Sequence, residues 1–140
     1  MGGVQKCIVA IDGWQMQCCG VPFKVGDKVE WIVGKHGLPS KVSSDIVDYY
    51  YEHHSSEWRA LYKATGRVSK ITTLFYSVEP HPDPNKNQGR THSWVYKESV
   101  DVTEADGWDE DIGELKFGGY EVCLHHYTVR PALQREITFS

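Results

Sequence analysis

Between Cys7 and Val129 the apolar residues recur chiefly at every second position, in short runs cut by Gly, Asp, Asn and Pro. A period of two is that of a strand with one buried face, because successive side chains point to opposite sides. A chain punctuated this often folds into short strands joined by turns. Its main difficulty is then the unpaired strand edge.

The runs can be placed one by one. Cys7 to Ile11 is apolar at every position and reads as a central strand. Asp12-Gly13 marks a turn, and Trp14 to Pro22, with no clean period, reads as an ordered loop. After a second turn at Gly26-Asp27, Val29, Trp31 and Val33 alternate as a strand. Beyond Gly66, Val68, Leu74, Tyr76 and Val78 share one face, with Ile71 and Phe75 on the other. Pro80, Pro82 and Pro84 then exclude a sheet ladder, so Pro80 to Asn87 is a loop. Trp94, Tyr96, Val100 and Val102 share the apolar face of the next strand. In the last strand Tyr120, Val122 and Leu124 have one parity and Tyr127 and Val129 the other, which predicts a bulge or bend at His125-His126.

One segment breaks the pattern. Ile46, Val47, Tyr50, Tyr51 and His54 recur three or four apart, Ser43 or Ser44 can cap, and Asp45 and Asp48 suit a first turn. This spacing predicts a helix over Ser43 to His54. The expected fold is mainly β: a small SH3-like or OB-like barrel of about five strands with one inserted α-helix, closure removing the open edges. At 140 residues, with no repeat and no linker, residues 1–140 are expected to form a single domain.

Charge and composition narrow the partners. Nineteen acidic against 15 basic residues give a net charge of −4, which argues against a broad nucleic-acid face. Trp94 and Tyr96 lie near Lys97 and Arg90, yet they sit on the apolar face of their strand, so core burial is the better reading. No apolar run is long enough to span a membrane, and the N-terminus has no signal-peptide pattern. A cytoplasmic protein with reduced thiols is expected, with Cys7 and Cys123 as core residues. Five Trp, eight Tyr and four Phe exceed what a barrel of this size can bury, and exposed aromatics favour contact with a protein partner.

Two chemistries compete with that reading. Cys18, Cys19, His36, His53, His54, His125 and His126 are donors for zinc. The chain has no Cys-x-x-Cys and no His-x-x-x-His, however, and adjacent residues on a helix or strand diverge, so each doublet offers one ligand. The remaining candidates for a metal are Cys18, Cys19, His53 and His54. The same cysteines beside the same histidines would also suit a thiolate with a base. The six acids from Glu104 to Glu114 do not follow a calcium-loop spacing and read as a solvated loop.

The stretch Trp14-Gln15-Met16-Gln17-Cys18-Cys19-Gly20-Val21-Pro22-Phe23, followed by Val25-Gly26-Asp27-Lys28-Val29-Glu30-Trp31, resembles the opening of an uncharacterised bacterial family common in actinobacteria. Glu52-His53-His54, Thr103-Glu104-Ala105-Asp106-Gly107-Trp108 and Gly119-Tyr120-x-Val122 are similar to further parts of it. The resemblance implies kinship and no activity, because the family is a domain of unknown function. A binding or accessory module of unknown ligand is therefore expected, without a cofactor. Its candidate binding residues are Trp14, Gln15, Gln17, Cys18, Cys19, His53 and His54. The alternative is a zinc or thiol-dependent protein built on the Cys18-Cys19 segment and His53/His54.

Overall fold

The computed structural model describes residues 6–35, 47–52, 58–80 and 92–137; of Cys19, Trp58, His92 and Ser93 it describes the backbone alone. The strands are β1 (Lys6–Asp12), β2 (Phe23–Lys24), β3 (Lys28–Gly34), β4 (Tyr49–Tyr51), β5 (Leu61–Pro80), β6 (His92–Val102), β7 (Glu104–Ala105) and β8 (Lys116–Pro131). One short helix, α1 (Gly13–Cys19), follows β1 directly. Among the described residues no helix is long and apolar enough to cross a membrane.

Five strands form a ring in the order β3-β4-β1-β8-β5, closed by pairing of β3 with β5. β6 extends the sheet beyond β5, and β2 pairs with β7 in a small second sheet. As its unbroken apolar run requires, β1 is flanked on both sides, by β8 antiparallel and by β4 parallel. β5 reaches both ends of the architecture because it is 20 residues long. Its first part pairs with β3, its second with β6, and β8 follows it from Tyr62 to Tyr76.

Three irregularities decide which residues enter the core. At Ser69 the register with β8 slips, and the Ser69 hydroxyl donates to the Cys123 carbonyl at 3.1 Å. The slip puts Val68 on the same side as Ile71, not on the opposite face as simple alternation predicts; both are fully buried. On β6 the register jumps from Tyr76↔Tyr96 to Phe75↔Glu98, leaving Lys97 as the extra residue. That bulge separates Trp94 and Tyr96, opposite Val78 and Tyr76, from Val100 and Val102, opposite Thr73 and Ile71. The expected single apolar face of β6 is therefore two half-faces. The third irregularity is the one the parity change located: β8 slips between Thr65↔Thr128 and Arg67↔His125, and His126 takes φ 50.

The core inside the ring comprises Val9, Ile11, Val33, Ala64, Val68, Ile71, Tyr120, Val122 and Leu124, each essentially without solvent contact. Each aliphatic side chain buried this way contributes about 1.5–3 kcal/mol. Where β6 joins, β5 is covered on both faces: Leu74 and Tyr76 are buried too, and Tyr76 packs against the rings of Trp94 and Tyr96 at 5.9 and 6.2 Å. Trp94 and Tyr96, expected in the core, are not buried there: Trp94 stays 46% exposed and Tyr96 half-buried, because they lie on the edge strand.

Three helix and loop expectations are corrected. Tyr49–Tyr51, inside the expected Ser43–His54 helix, is strand β4. Tyr50 pairs with Ala10 on one side and Gly34 on the other, so this short strand joins β1 to β3 in the ring. Aromatic side chains fit such a pleated, half-buried position, and pairing on both edges outweighs a helical spacing. Val47, Asp48 and Glu52 are not helical either, and the rest of that expected helix lies outside the described residues. Pro80, expected to open a loop, is the last residue of β5 and pairs with His92, while the rest of that expected loop lies outside the described residues. Conversely, the expected loop from Trp14 to Pro22 begins as α1.

Candidate functional site

The geometry of α1 follows from its seven residues. Gln15 and Met16 point inward and are buried. Trp14 and Cys18, four apart and so on one helical face, point outward. Three contacts fix the helix. The Gln15 side-chain amide donates to the Tyr51 carbonyl at 3.1 Å, tying α1 to β4. The Gln17 amide donates to the Gly107 carbonyl at 2.8 Å, tying it to the loop after β7. Met16 enters the core.

Beneath the start of α1, β8 carries Gly119 opposite Asp12. A Cβ on Gly119 would lie 2.3 Å from the Ile11 carbonyl oxygen, and its φ of +154° is one that other residues avoid. Glycine therefore lets β1 turn straight into α1. Asp12 stands at the N-cap position, yet its carboxylate makes no capping bond. It accepts the indole N–H of Trp14 instead. Burial raises the Asp12 carboxyl above its ordinary range, the indole bond lowers it in part, and the charge of Glu52 raises it further. Trp14 is thus held in place while 48% exposed.

The loop after β7 is built by its aspartates. Asp106 Oδ1 accepts the Trp108 backbone N–H at 2.8 Å, an Asx turn that Gly107 permits with φ +89°. Asp109 accepts the hydroxyls of Tyr120 and Thr73, and Asp111 accepts the Phe117 N–H and binds the Lys116 ammonium. The expected solvated loop is in fact ordered by half of its acids. It presents Trp108 at 66% exposure, next to the Gly107 carbonyl that α1 holds.

Residues 5–126 match a family of unknown function, DUF6578. The chain belongs to this family. No curated protein and no solved structure matches it. What this DUF6578 chain does must therefore be argued from its own side chains.

Of the residues singled out by sequence, α1 brings Trp14, Gln15, Gln17 and Cys18 together but aims them in different directions. Gln15 is an internal strut, whereas Trp14, Gln17 and Cys18 are exposed. Cys18 is disulfide-bonded, contrary to the expectation of reduced thiols. Its sulfur lies 3.5 Å from the Gln15 carbonyl, and a disulfide sulfur has no proton to donate, so this is a contact and not a hydrogen bond. Cys7 and Cys123 are free, and burial, with the charge of Asp48 next, pushes the Cys7 thiol up to about 12. Cys7 pairs with Leu124 and Cys123 with Ile8, so the two thiols face opposite sides of the sheet. His53, His54 and the side chain of Cys19 lie outside what is described. Among the described residues no group of three or more His, Cys, Asp or Glu is placed to hold a metal.

Sequence reasoning missed Asp12, Glu52 and Trp108 as members of this face. Asp12 reads as a turn residue and Trp108 as one aromatic among 17. The signal in hand was the Asp-Gly-Trp tripeptide, which occurs twice, at Asp12-Gly13-Trp14 and Asp106-Gly107-Trp108. Both copies put an aspartate oxygen on a tryptophan N–H, by the indole in the first and by the backbone in the second.

Proposed function

We propose that the chain is a binding module, a small barrel of SH3-like or OB-like type acting in the cytoplasm, that docks a protein partner on the face shared by α1 and the 106–108 loop. The observation that carries this reading is the pair of exposed tryptophans on two elements joined by the Gln17–Gly107 bond. A large indole left in water is a cost unless something covers it, and tryptophan leads the residues that anchor protein interfaces. Both indoles stand on backbone fixed by hydrogen bonds and buried neighbours, which lowers the ordering cost of binding. The alternative, a metal or thiol site of Cys18, Cys19, His53 and His54, has less support, because Cys18 carries a disulfide in place of a thiolate.

Photo-crosslinking residues placed at 14, at 108 and, as a control, at the exposed position 128, at the other end of β8 from Tyr120, test the proposal in cells. The expected result is one shared protein adduct from positions 14 and 108 and none from position 128. Excess untagged protein should compete it away, and the Trp14→Ser, Trp108→Ser double variant should not. Equal adducts from position 128, or competition by the double variant, would overturn it.

A further inference from the structure

Resting on that reading of the face, we infer the chemistry of its occupant: a basic protein segment, with lysine or arginine side chains flanking one or two apolar anchors. The charge of the molecule is unevenly placed. From Glu104 to Lys116 the chain has six carboxylates and one lysine, net −5, whereas the whole chain is −4. The remainder therefore sums to +1, and the negative charge of the molecule is concentrated around Trp108. The neighbouring cations are committed within the fold: Lys116 binds Asp111 at 3.2 Å, and Lys24 stands directly across from Glu104 in the β2–β7 pair. Among the described residues Glu110 and Glu114 have no ion-pair partner, and both are exposed. On the far side of α1 the rim is acidic again, with Asp12 beside Glu52.

The surface is thus two exposed indoles between two acidic margins. Apolar contact supplies affinity at the tryptophans, and cations facing the margins supply orientation and a fast encounter. An acidic or nucleic-acid occupant would meet like charge on both sides. Cationic side chains also sit favourably over indole faces, so the aromatic and acidic features select the same chemistry.

The test uses the full chain and three labelled 12-residue peptides read by fluorescence anisotropy: one alternating lysine and leucine, one alternating glutamate and leucine, and one alternating serine and leucine. The lysine peptide is expected to bind, to weaken with added salt, and to lose about tenfold in affinity on Glu110→Lys with Glu114→Lys. The same change in net charge placed on β6, Glu98→Lys with Asp101→Lys, should cost less than about twofold, which separates a local site from overall attraction. Trp108→Ser should weaken the lysine peptide as well. If the serine and lysine peptides bind alike through Trp108, the docking face stands and the basic occupant is overturned. If none of the peptides depends on Trp108, or if the β6 reversal matters as much as the loop reversal, the inference fails together with the docking reading.

Discussion

The phenol of Tyr120, buried under the sheet, donates to Oδ1 of Asp109 at 2.6 Å. Oδ2 of the same carboxylate accepts the buried Thr73 hydroxyl at 2.8 Å, and the phenol oxygen accepts the Gly107 N–H at 2.9 Å. One aspartate and one tyrosine thus clamp the 106–109 loop onto β5 and β8. Burial and the Asp109 carboxylate hold the Tyr120 hydroxyl protonated well above the ordinary tyrosine range, so the phenol remains a donor into alkaline solution.

Tyr120→Phe removes the donor to Asp109 and orphans the Gly107 N–H. Leaving a buried polar group unsatisfied costs about 1–3 kcal/mol, so the urea midpoint should fall accordingly. Trp108 fluorescence should shift as well, because its turn follows Gly107. Asp109→Ala strands two hydroxyls and should cost at least as much. An unchanged midpoint in both variants would show that the loop is held by packing alone.

Gly119→Ala should be among the most damaging single-methyl changes in the chain. The new Cβ would meet the Ile11 carbonyl at 2.3 Å, inside a pairing that both β1 and β5 fix. We expect a loss of about 3 kcal/mol or more, by backbone displacement under α1. Gly26→Ala is the matched control: φ is +99° but nothing lies within 4 Å, so backbone strain alone applies, about 1–2 kcal/mol. Thermal melts of the two variants compare them directly, and equal losses would deny the close approach.

Phe23 and Trp14 flank the same segment and should behave oppositely. Phe23 is buried in β2 with its ring edge-on to Trp31 at 5.0 Å, so Phe23→Ala should cost about 3–5 kcal/mol. Trp14→Ala removes an exposed ring together with its indole bond to Asp12 and should cost about 1–2 kcal/mol, well short of the Phe23 loss, while abolishing partner binding. A Trp14 variant as unstable as the Phe23 variant would mean that Trp14 is a core residue after all.

These pairs show where sequence reasoning reached and where it stopped. The period-two runs located β3, β6, β8 and β5 beyond Gly66, an unbroken apolar run located β1, and a parity change located the β8 bulge, because burial on one face or on two is written directly into the apolar pattern. The Lys97 bulge was invisible, since the apolar residues on both sides of it keep one parity; the Ser69 bulge left its mark in the parity change from Val68 to Ile71, which reads equally well as two faces of a regular strand. α1 was missed for a related reason. Seven residues hold barely two turns, and its inward face uses a buried glutamine beside a methionine, so polarity does not report orientation. β4 was misread because its tyrosines fit a helical spacing, and only pairing to Ala10 and Gly34, far away in sequence, assigns them to a sheet. At the site, Trp14, Gln17 and Cys18 were legible as a group. The acidic margins were legible only as a loop, because charge becomes a recognition feature once the fold sets it around an exposed indole.

The carboxyl of Asp12 gives the face a measurable pH signature. In the folded protein its pKa is raised, by burial first and by Glu52 next, with the Trp14 indole opposing in part. A carboxyl that binds its proton more tightly when folded stabilises the fold below its unfolded value and loses that contribution as pH rises through the folded value. Asp12→Asn keeps an oxygen for the indole N–H and removes the charge. The variant should match the parent in acid, where Asp12 is protonated, and become the more stable of the two as pH rises to neutral. Adding Glu52→Gln to both proteins should shrink that difference, because it removes the second cause of the shift. Urea midpoints measured across this range check all three statements. An Asp12→Asn protein less stable than the parent at neutral pH would show that the charged carboxylate is favoured there, and that the indole bond outweighs burial.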